Sequence, residues 1–496
     1  MTALLKWGCA GVYSLGMAFC LFSCLSIRRM AALGAFVLLT ISLSRCARAK
    51  ELVVRLGNWF ASRPRTTLLI LFALAVFARV CFALSLPGKG LWSIQGNDPR
   101  KFWMYAHEMA SGAFPDVKSW TLTFLLSLSV RLFGDTLVPV VIMNIAFQFV
   151  TALALYLFAK KSFSTGAALW SATICLLSPS IIHINFCARP ENCYFLFFSL
   201  ALLALATWMQ ERKLLALLLL PLLTWLAVWT RGEAVLLLVL APGCLAVDIA
   251  MSREGSRMRA ICAFAFMCIS CLAFAAAGHC INVRYHGTTT PLCSNDSWWP
   301  RLFGSNVASR GRVPLPKNSP KGVRLTSDKN LIYERYRKDH ENEPGKGVIP
   351  RKPMYCPNEL IPYIKEEIAH RWGALTAFEK VQFMVVKNWL PWNNPYAGHG
   401  QVLEKKLEKT VRYDIVTVLA VISCFFGLAR WIRLSRNSHT GIDVVRVVPL
   451  LYLFGIVSII AIAESNIRYG VIALLICPLY AFPPMPSSCA ASRIAS

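Results

Sequence analysis

Acid and arginine side chains stand together at three places in the sequence, each at the edge of an apolar run. They are Arg189 with Glu191, Arg231 with Glu233, and Glu464 with Arg468. Glu464 and Arg468 are four apart, so on a helix they share one face and can pair. An ionisable side chain at membrane depth costs roughly 2.5–3.5 kcal/mol on the mildest scale, so such groups persist where they pair or line a polar cavity. Three sets on one side of a bilayer predict a common polar cavity; the plainer alternative is structural ion pairs at helix ends. A further acid, Asp98, lies in Asn97-Asp98-Pro99, directly before Arg100 and Lys101. Asp98 suits a helix N-cap and Pro99 the first helical position. Its functional alternative is a carboxylate held at the outer edge of the bilayer. Beyond it Phe102, Tyr105, Ala106, Met109 and Ala110 recur at helical spacing. That spacing predicts an apolar face lying along the membrane surface.

The elements that carry these residues follow from the apolar blocks. Hydrophobic residues fill 56% of the 496 positions and charged residues only 16%, where a soluble chain carries about 25% charged. The apolar residues gather into runs of roughly 18–25, the length a helix needs to cross the hydrocarbon layer. In lipid such runs must be helical, because no water is present to satisfy an open backbone. The alternating short strands of a membrane barrel are missing from the sequence. The expected class is therefore an all-α polytopic membrane protein with about 10–12 spans.

The net charge of +27 does not point to nucleic acid, because much of it sits in short breaks between apolar blocks. Lys160-Lys161, Arg212-Lys213 and the stretches 253–259 and 430–436 are the breaks that matter, and the positive-inside rule places them in the cytoplasm. One path then satisfies all four: 66–86 outward, 136–159 inward, 163–184 outward, 192–209 inward, 213–230 outward and 234–250 inward. Next, 260–281 runs outward, 411–429 inward, 445–463 outward and 467–484 inward. This divides the chain into an N-terminal region, residues 1–65, a transmembrane core 66–281 with a first outer loop at 87–120, a long extracytoplasmic loop 282–408, and C-terminal spans in 409–496. Within the N-terminal region, 4–26 and 30–44 are further apolar segments, and 4–26 reads as an uncleaved signal-anchor.

The long loop is exempt from the charge rule, so its many Lys and Arg need another partner, for which anionic lipid or phosphate is the natural choice. A merely solvated surface is the alternative. Most of the 18 cysteines lie in apolar spans, where a thiol acts as a small hydrophobe. Cys268 and Cys271 form a CxxC pair inside span 260–281, and a metal or redox site there is not expected. Cys293 and Cys356 share the long loop, as a disulfide or as two thiols. His183, His279 and His286 stand near outer span ends but are scattered, and no D-x-D or His/carboxylate cluster calls for a metal.

In this order and spacing the motifs resemble those of the GT-C superfamily of membrane glycosyltransferases, over roughly 66–485. The closest branch holds protein O-mannosyltransferase-like and lipid A aminoarabinose transferase-like enzymes. Asp98 followed by Ala106-His107-Glu108-Met109-Ala110-Ser111-Gly112 resembles the family's first outer loop, and 126–134 its L-F-G segment. Tyr156 to Lys161, Leu177-Ser178-Pro179, Arg189-Pro190-Glu191 and Thr230-Arg231-Gly232-Glu233 are similar to motifs at successive helix ends. Phe303-Gly304-Ser305-Asn306 resembles a G-x-N stretch, and 464–469 an E-x-x-x-R-Y start. One departure is Pro99, where relatives often carry a second acid; that carboxylate would then come from Glu108, Glu191 or Glu233.

The resemblance implies a GT-C fold in the plasma (inner) membrane, with the active site on the extracytoplasmic face. It implies a donor sugar on a polyprenyl phosphate and a lipid, polysaccharide or protein acceptor, with no nucleic-acid partner. Asp98 would act as general base. Arg189, Arg231 and Arg468 would stabilise the phosphate, with Lys101 and Arg284 less favoured. Tyr105, Glu191, Glu233 and Glu464 complete the implied substrate contacts, and inverting, metal-independent transfer is expected. A lipid-linked glycan flippase, a glycan polymerase or ligase, and a noncatalytic scaffold are the competing readings.

Overall fold

The computed structural model describes residues 59–60, 62–86, 90–91, 97–115, 117, 119–251, 254–286, 291, 327–341 and 358–380, with single positions 446, 448, 449, 452, 476 and 479. Among the described residues every regular element is helical, as the apolar pattern requires. In chain order α1 is Pro64–Leu84, α2 Asn97–Ala110, α3 Trp120–Phe133, α4 Val138–Ser162, α5 Thr165–Leu177 and α6 Pro179–Asn185. Then follow α7 Pro190–Glu211, α8 Leu214–Thr230, a 3-10 turn Gly232–Leu236, α9 Leu237–Met251 and α10 Glu254–His286. From the long loop come α11 Ser327–Asp339 and α12 Ile361–Gly373, which close on Ile332, Tyr336, Leu360 and Ile364.

Five described helical stretches are long and apolar enough to cross a bilayer: Pro64–Leu84, Val138–Ser162, Pro190–Glu211, Gly232–Ala250 and Ser256–Tyr285. They coincide with the expected spans 66–86, 136–159, 192–209, 234–250 and 260–281. The expected span 213–230 is the 17-residue α8, and the expected span 163–184 is divided into α5 and α6. Segments 4–26, 30–44 and 411–429, most of 445–463 and 467–484, and most of the long loop lie outside the described residues, as do Cys293 and Cys356.

The division between α5 and α6 has a local cause. Pro179 has no N–H to offer the Cys175 carbonyl four residues back. The amide of Gln148, on α4, donates to that carbonyl instead, at 3.0 Å. Arg79 Nη1, on α1, donates to the next carbonyl, Leu176, at 2.9 Å. Past the break, Asn144 Nδ2 donates to the carbonyls of Asn185 and Cys187, at 3.1 and 3.0 Å. Asn144 and Gln148 are four apart on one face of α4, turned toward the break. All residues from 181 to 196 are buried, which is the condition under which non-helical backbone survives at membrane depth.

Around this corner the core is built mainly by α4, α5, α7 and α8, where Leu155, Phe158, Ile174, Phe195, Phe198, Leu202, Leu220 and Val228 share one buried cluster. Leu69, Phe77 and Leu84 of α1 stay exposed, as suits a face turned to lipid. The helices alternate in direction, so their ends separate by chemistry. At one end Lys161 and Lys213 flank Glu211, Arg212 grips Asp248, and Arg446 donates to the Ser162 carbonyl. The Arg189 and Arg231 sets lie at the other end.

Candidate active site

Chain geometry at the second end begins with the start of α7. Arg189 is its N-cap in extended conformation, Pro190 occupies the first turn, and Glu191 follows. Pro190 sacrifices no helical bond there, and an acid in the first turn suits the helix dipole. At the end of α8 the chain leaves the helix at Arg231 and enters the 3-10 turn with Glu233. Arg231 then joins the two elements. Its Nη1 donates to Glu191 Oε1 at 3.0 Å, and its Nη2 and Nε grip the two oxygens of Glu233 at 3.0 and 3.1 Å. The Glu191 side chain is 2% exposed and those of Arg231 and Glu233 are 14% and 15%, so this two-carboxylate, one-guanidinium cluster is shielded from solvent. The Arg231 guanidinium also stands over the Tyr194 ring, 5.9 Å from its centroid. Tyr194 bonds the hydroxyl of Tyr452, which donates to the Glu233 carbonyl at 3.2 Å.

Arg189 behaves differently. It is 3% exposed, and its Nε has no hydrogen-bond partner among the described residues. A guanidinium buried beside a helix N-terminus, with a donor left over, suits an anion.

Over these ends lies α2. It begins at Asn97, so Asp98 and Pro99 stand in its first turn; the side chain of Asp98 falls outside the described residues. Phe102, Trp103 and Ala106 share a buried cluster with Leu122 and Leu126 of α3, Leu137, Val140 of α4, and Ala188, the neighbour of Arg189. Tyr105 packs against the cluster of Val117 and Trp120, with Trp229 just before Thr230-Arg231. The apolar face expected to lie along the membrane surface is therefore turned onto protein: Phe102, Ala106 and Met109 are buried. The far end of α2 is closed by Gly112 (φ 96), after which the Ala113 N–H returns to the Glu108 carbonyl at 3.0 Å. Arg131 of α3 caps the last carbonyls, Ala110 at 3.0 Å and Met109 at 3.2 Å. Asp135 Oδ1 accepts from Trp103 Nε1 at 2.7 Å and meets His107 Nε2 at 3.2 Å. The indole bond, and then His107, hold the Asp135 carboxyl below its ordinary value.

The structure thus brings the elements carrying Asp98, Lys101, Tyr105, Arg189, Glu191, Arg231 and Glu233 to one end of the helices. Glu464 and Arg468 lie outside the described residues. Of the acids considered as a second carboxylate, Glu191 and Glu233 are engaged by Arg231, and Glu108 is exposed on α2. Sequence adjacency had set Glu191 with Arg189; the fold joins it to Arg231. Arg284 is exposed, near the end of α10, with its guanidinium over Tyr285. Arg79, Asn144, Gln148, Asn185, Asn192, Trp103 and Asp135 were not singled out from the sequence. Their available signal was polar side chains inside otherwise apolar spans.

Comparison with known families covers the middle of this architecture. Residues 118–277 match the family model of dolichyl-phosphate-mannose-protein mannosyltransferases. That stretch is of the GT-C glycosyltransferase type. It runs from α3 into α10 and includes Arg189, Glu191, Arg231 and Glu233, so the resemblance read from the motifs is borne out there. Among solved structures, the archaeal oligosaccharyltransferase AglB from Archaeoglobus fulgidus, in complex with an inhibitory peptide and a dolichol-phosphate, is similar at 12% identity with a TM-score of 0.46. The match covers 85% of this chain and 50% of that one, so this chain spans about half its length. No curated protein matches the sequence.

Two outcomes follow for this GT-C end. Arg231→Met strands two buried carboxylates, a change that destabilises by about 3–5 kcal/mol. Adding Glu191→Gln and Glu233→Gln should restore most of the unfolding midpoint in lipid nanodiscs, whereas a single variant as stable as wild type would contradict the cluster. The Asp135 bonds act in the other direction on pH. Its folded value is depressed, so its contribution is complete above the ordinary aspartate value of about 3.9 and is lost as pH falls through the folded one. Indole fluorescence of Trp103, followed by acid titration against an Asp135→Asn control, should show that transition in wild type alone.

Proposed function

We propose that the chain transfers a sugar from a polyprenyl-phosphate donor to an acceptor hydroxyl on the extracytoplasmic face of the plasma (inner) membrane. The observation that carries this reading is the convergence of α2, the Arg189 corner and the Arg231 cluster at one end of the helices. A lipid donor enters such a site sideways from the bilayer while its head group reaches the aqueous face. The acceptor oxygen attacks the anomeric carbon, the bond from that carbon to the phosphate oxygen breaks, and the configuration inverts. Asp98 takes the acceptor proton. Polyprenyl phosphate leaves as an anion, and its developing charge is met by Arg189 through charge-assisted bonds. Lys101, at the entrance on α2, and Arg468 add positive charge. In this reading Arg231 orders Glu191 and Glu233, and Tyr105 and Glu464 border the sugar. Cationic side chains take the role a metal would play, so transfer is metal-independent. The acceptor is a lipid, a polysaccharide or a protein.

A lipid-linked glycan transporter is the second reading, favoured by one feature. The α5–α6 break is a discontinuous helix of the kind transporters use. Deletion of the gene, with mass spectrometry of surface glycans and lipids, tests the first reading. One sugar substituent should disappear, wild type should restore it, and Asp98→Asn should restore it at a rate roughly 10²–10⁴ lower. Full restoration by Asp98→Asn would leave Asp98 as a helix cap only.

A further inference from the structure

Arg79 is a buried charge that none of these roles uses. It lies inside α1, five residues before its end, and is 3% exposed. Its guanidinium rests over the Phe149 ring at 5.4 Å from the centroid. Among the described residues its hydrogen-bond partners are an amide and two carbonyls: Nε donates to Asn185 Oδ1 at 2.8 Å, and Nη1 to Leu176 and Ala75, both at 2.9 Å. No carboxylate faces it there, so the side chain serves as a planar fork more than as one half of an ion pair. The bonds continue from it. Asn185 Nδ2 donates to Asn192 Oδ1 at 2.9 Å, and Asn192 Nδ2 to the Ile184 carbonyl at 3.1 Å. Asn144 holds the Asn185 and Cys187 carbonyls from the other side.

The two linked asparagines bracket the segment that contains Ala188, Arg189 and Glu191. Through Ala188 that segment seats α2, and through Glu191 it meets Arg231. We propose that Arg79 is a positioning residue for the active site: by fixing Asn185, and through it Asn192, it sets where Arg189 and Glu191 stand relative to the first turn of α2. The proposal rests on the glycosyl-transfer reading of that end. Lysine cannot replace it fully, because a single ammonium lacks the fork that spans an amide and a carbonyl on different elements.

The test uses the full chain in lipid nanodiscs, with Arg79→Met, Arg79→Lys, Asn185→Ala and Arg189→Gln compared at equal folded amounts. Amide hydrogen exchange and transfer from a polyprenyl-phosphate sugar are both measured. In Arg79→Met, exchange should rise within 176–192 and stay at the wild-type level in α3 and α8. Its kcat should fall roughly 10–100-fold, the scale on which a small misplacement of reacting groups acts, while KM for the donor changes less than about threefold on the same reasoning. Arg79→Lys should recover part of kcat. Asn185→Ala should reproduce the loss, and adding it to Arg79→Met should cause little more, since both cut one chain of bonds. Should Arg79→Met fail to fold, Asn185→Ala and Arg79→Lys carry the test. Exchange that rises throughout the helices with kcat per folded molecule intact would overturn the proposal, leaving Arg79 as a fold residue. Transfer lost in Arg189→Gln but intact in Arg79→Met and Asn185→Ala overturns the proposal alone. Transfer intact in Arg189→Gln overturns the reading of the site and the proposal with it.

Discussion

A carbonyl released by a broken helix inside a bilayer has no water to turn to, and that constraint governs this molecule. Pro179 breaks the helix after α5, and three polar side chains from two other helices supply the donors: Arg79, Gln148 and Asn144. Interhelical bonds of this kind contribute only about 0.6 kcal/mol on average and up to about 1.7. Their geometric effect is larger than that figure suggests, because each one fixes a direction. The corner they hold places Arg189 and Glu191 at the start of α7. Glu191 then fixes Arg231, Arg231 fixes Glu233, and the Glu233 carbonyl receives Tyr452 from late in the chain. Ala188, in the same corner, seats α2.

Charge is distributed to match. At the lysine-rich end each described acid has a basic partner: Glu211 between two lysines and Asp248 in the fork of Arg212. The opposite end is less balanced. Arg231 is shared by two carboxylates, while buried Arg189 keeps an unbonded Nε. Burying a guanidinium without a local acid is costly, and a phosphate ligand removes that cost when it binds. The asymmetry explains why the two arginines, alike in the sequence, are given different tasks: one orders the site and the other meets the ligand.

Much of the fold was legible because bilayer thickness sets element length. The runs around 66–86, 136–159, 192–209, 234–250 and 260–281 were read as spans for that reason, and each is a long apolar helix. The α5–α6 division escaped span counting, since Ser178-Pro179 sits inside a run whose apolar content alone reads as one helix. The clue was the company it keeps: Asn144, Gln148, Asn185 and Asn192, amides with no evident use in an apolar setting. The α2 stripe was correctly placed on a helix, but an apolar stripe fits lipid and protein equally, and tertiary packing decided for protein. Trp103 falls off the predicted stripe, yet it is buried and bonded to Asp135. Pairing of Glu191 was misjudged because adjacency in sequence says nothing about which helix ends meet.

The central claim is that a sugar leaves its lipid phosphate at the end where α2, the Arg189 corner and the Arg231 cluster converge. Vesicles containing the purified chain, a membrane-extracted polyprenyl-phosphate sugar labelled in the sugar, and a crude envelope acceptor test it most directly. The account predicts that label passes from the lipid to the acceptor as free polyprenyl phosphate accumulates in equal amount. Intact donor that only moves from one leaflet to the other would contradict it.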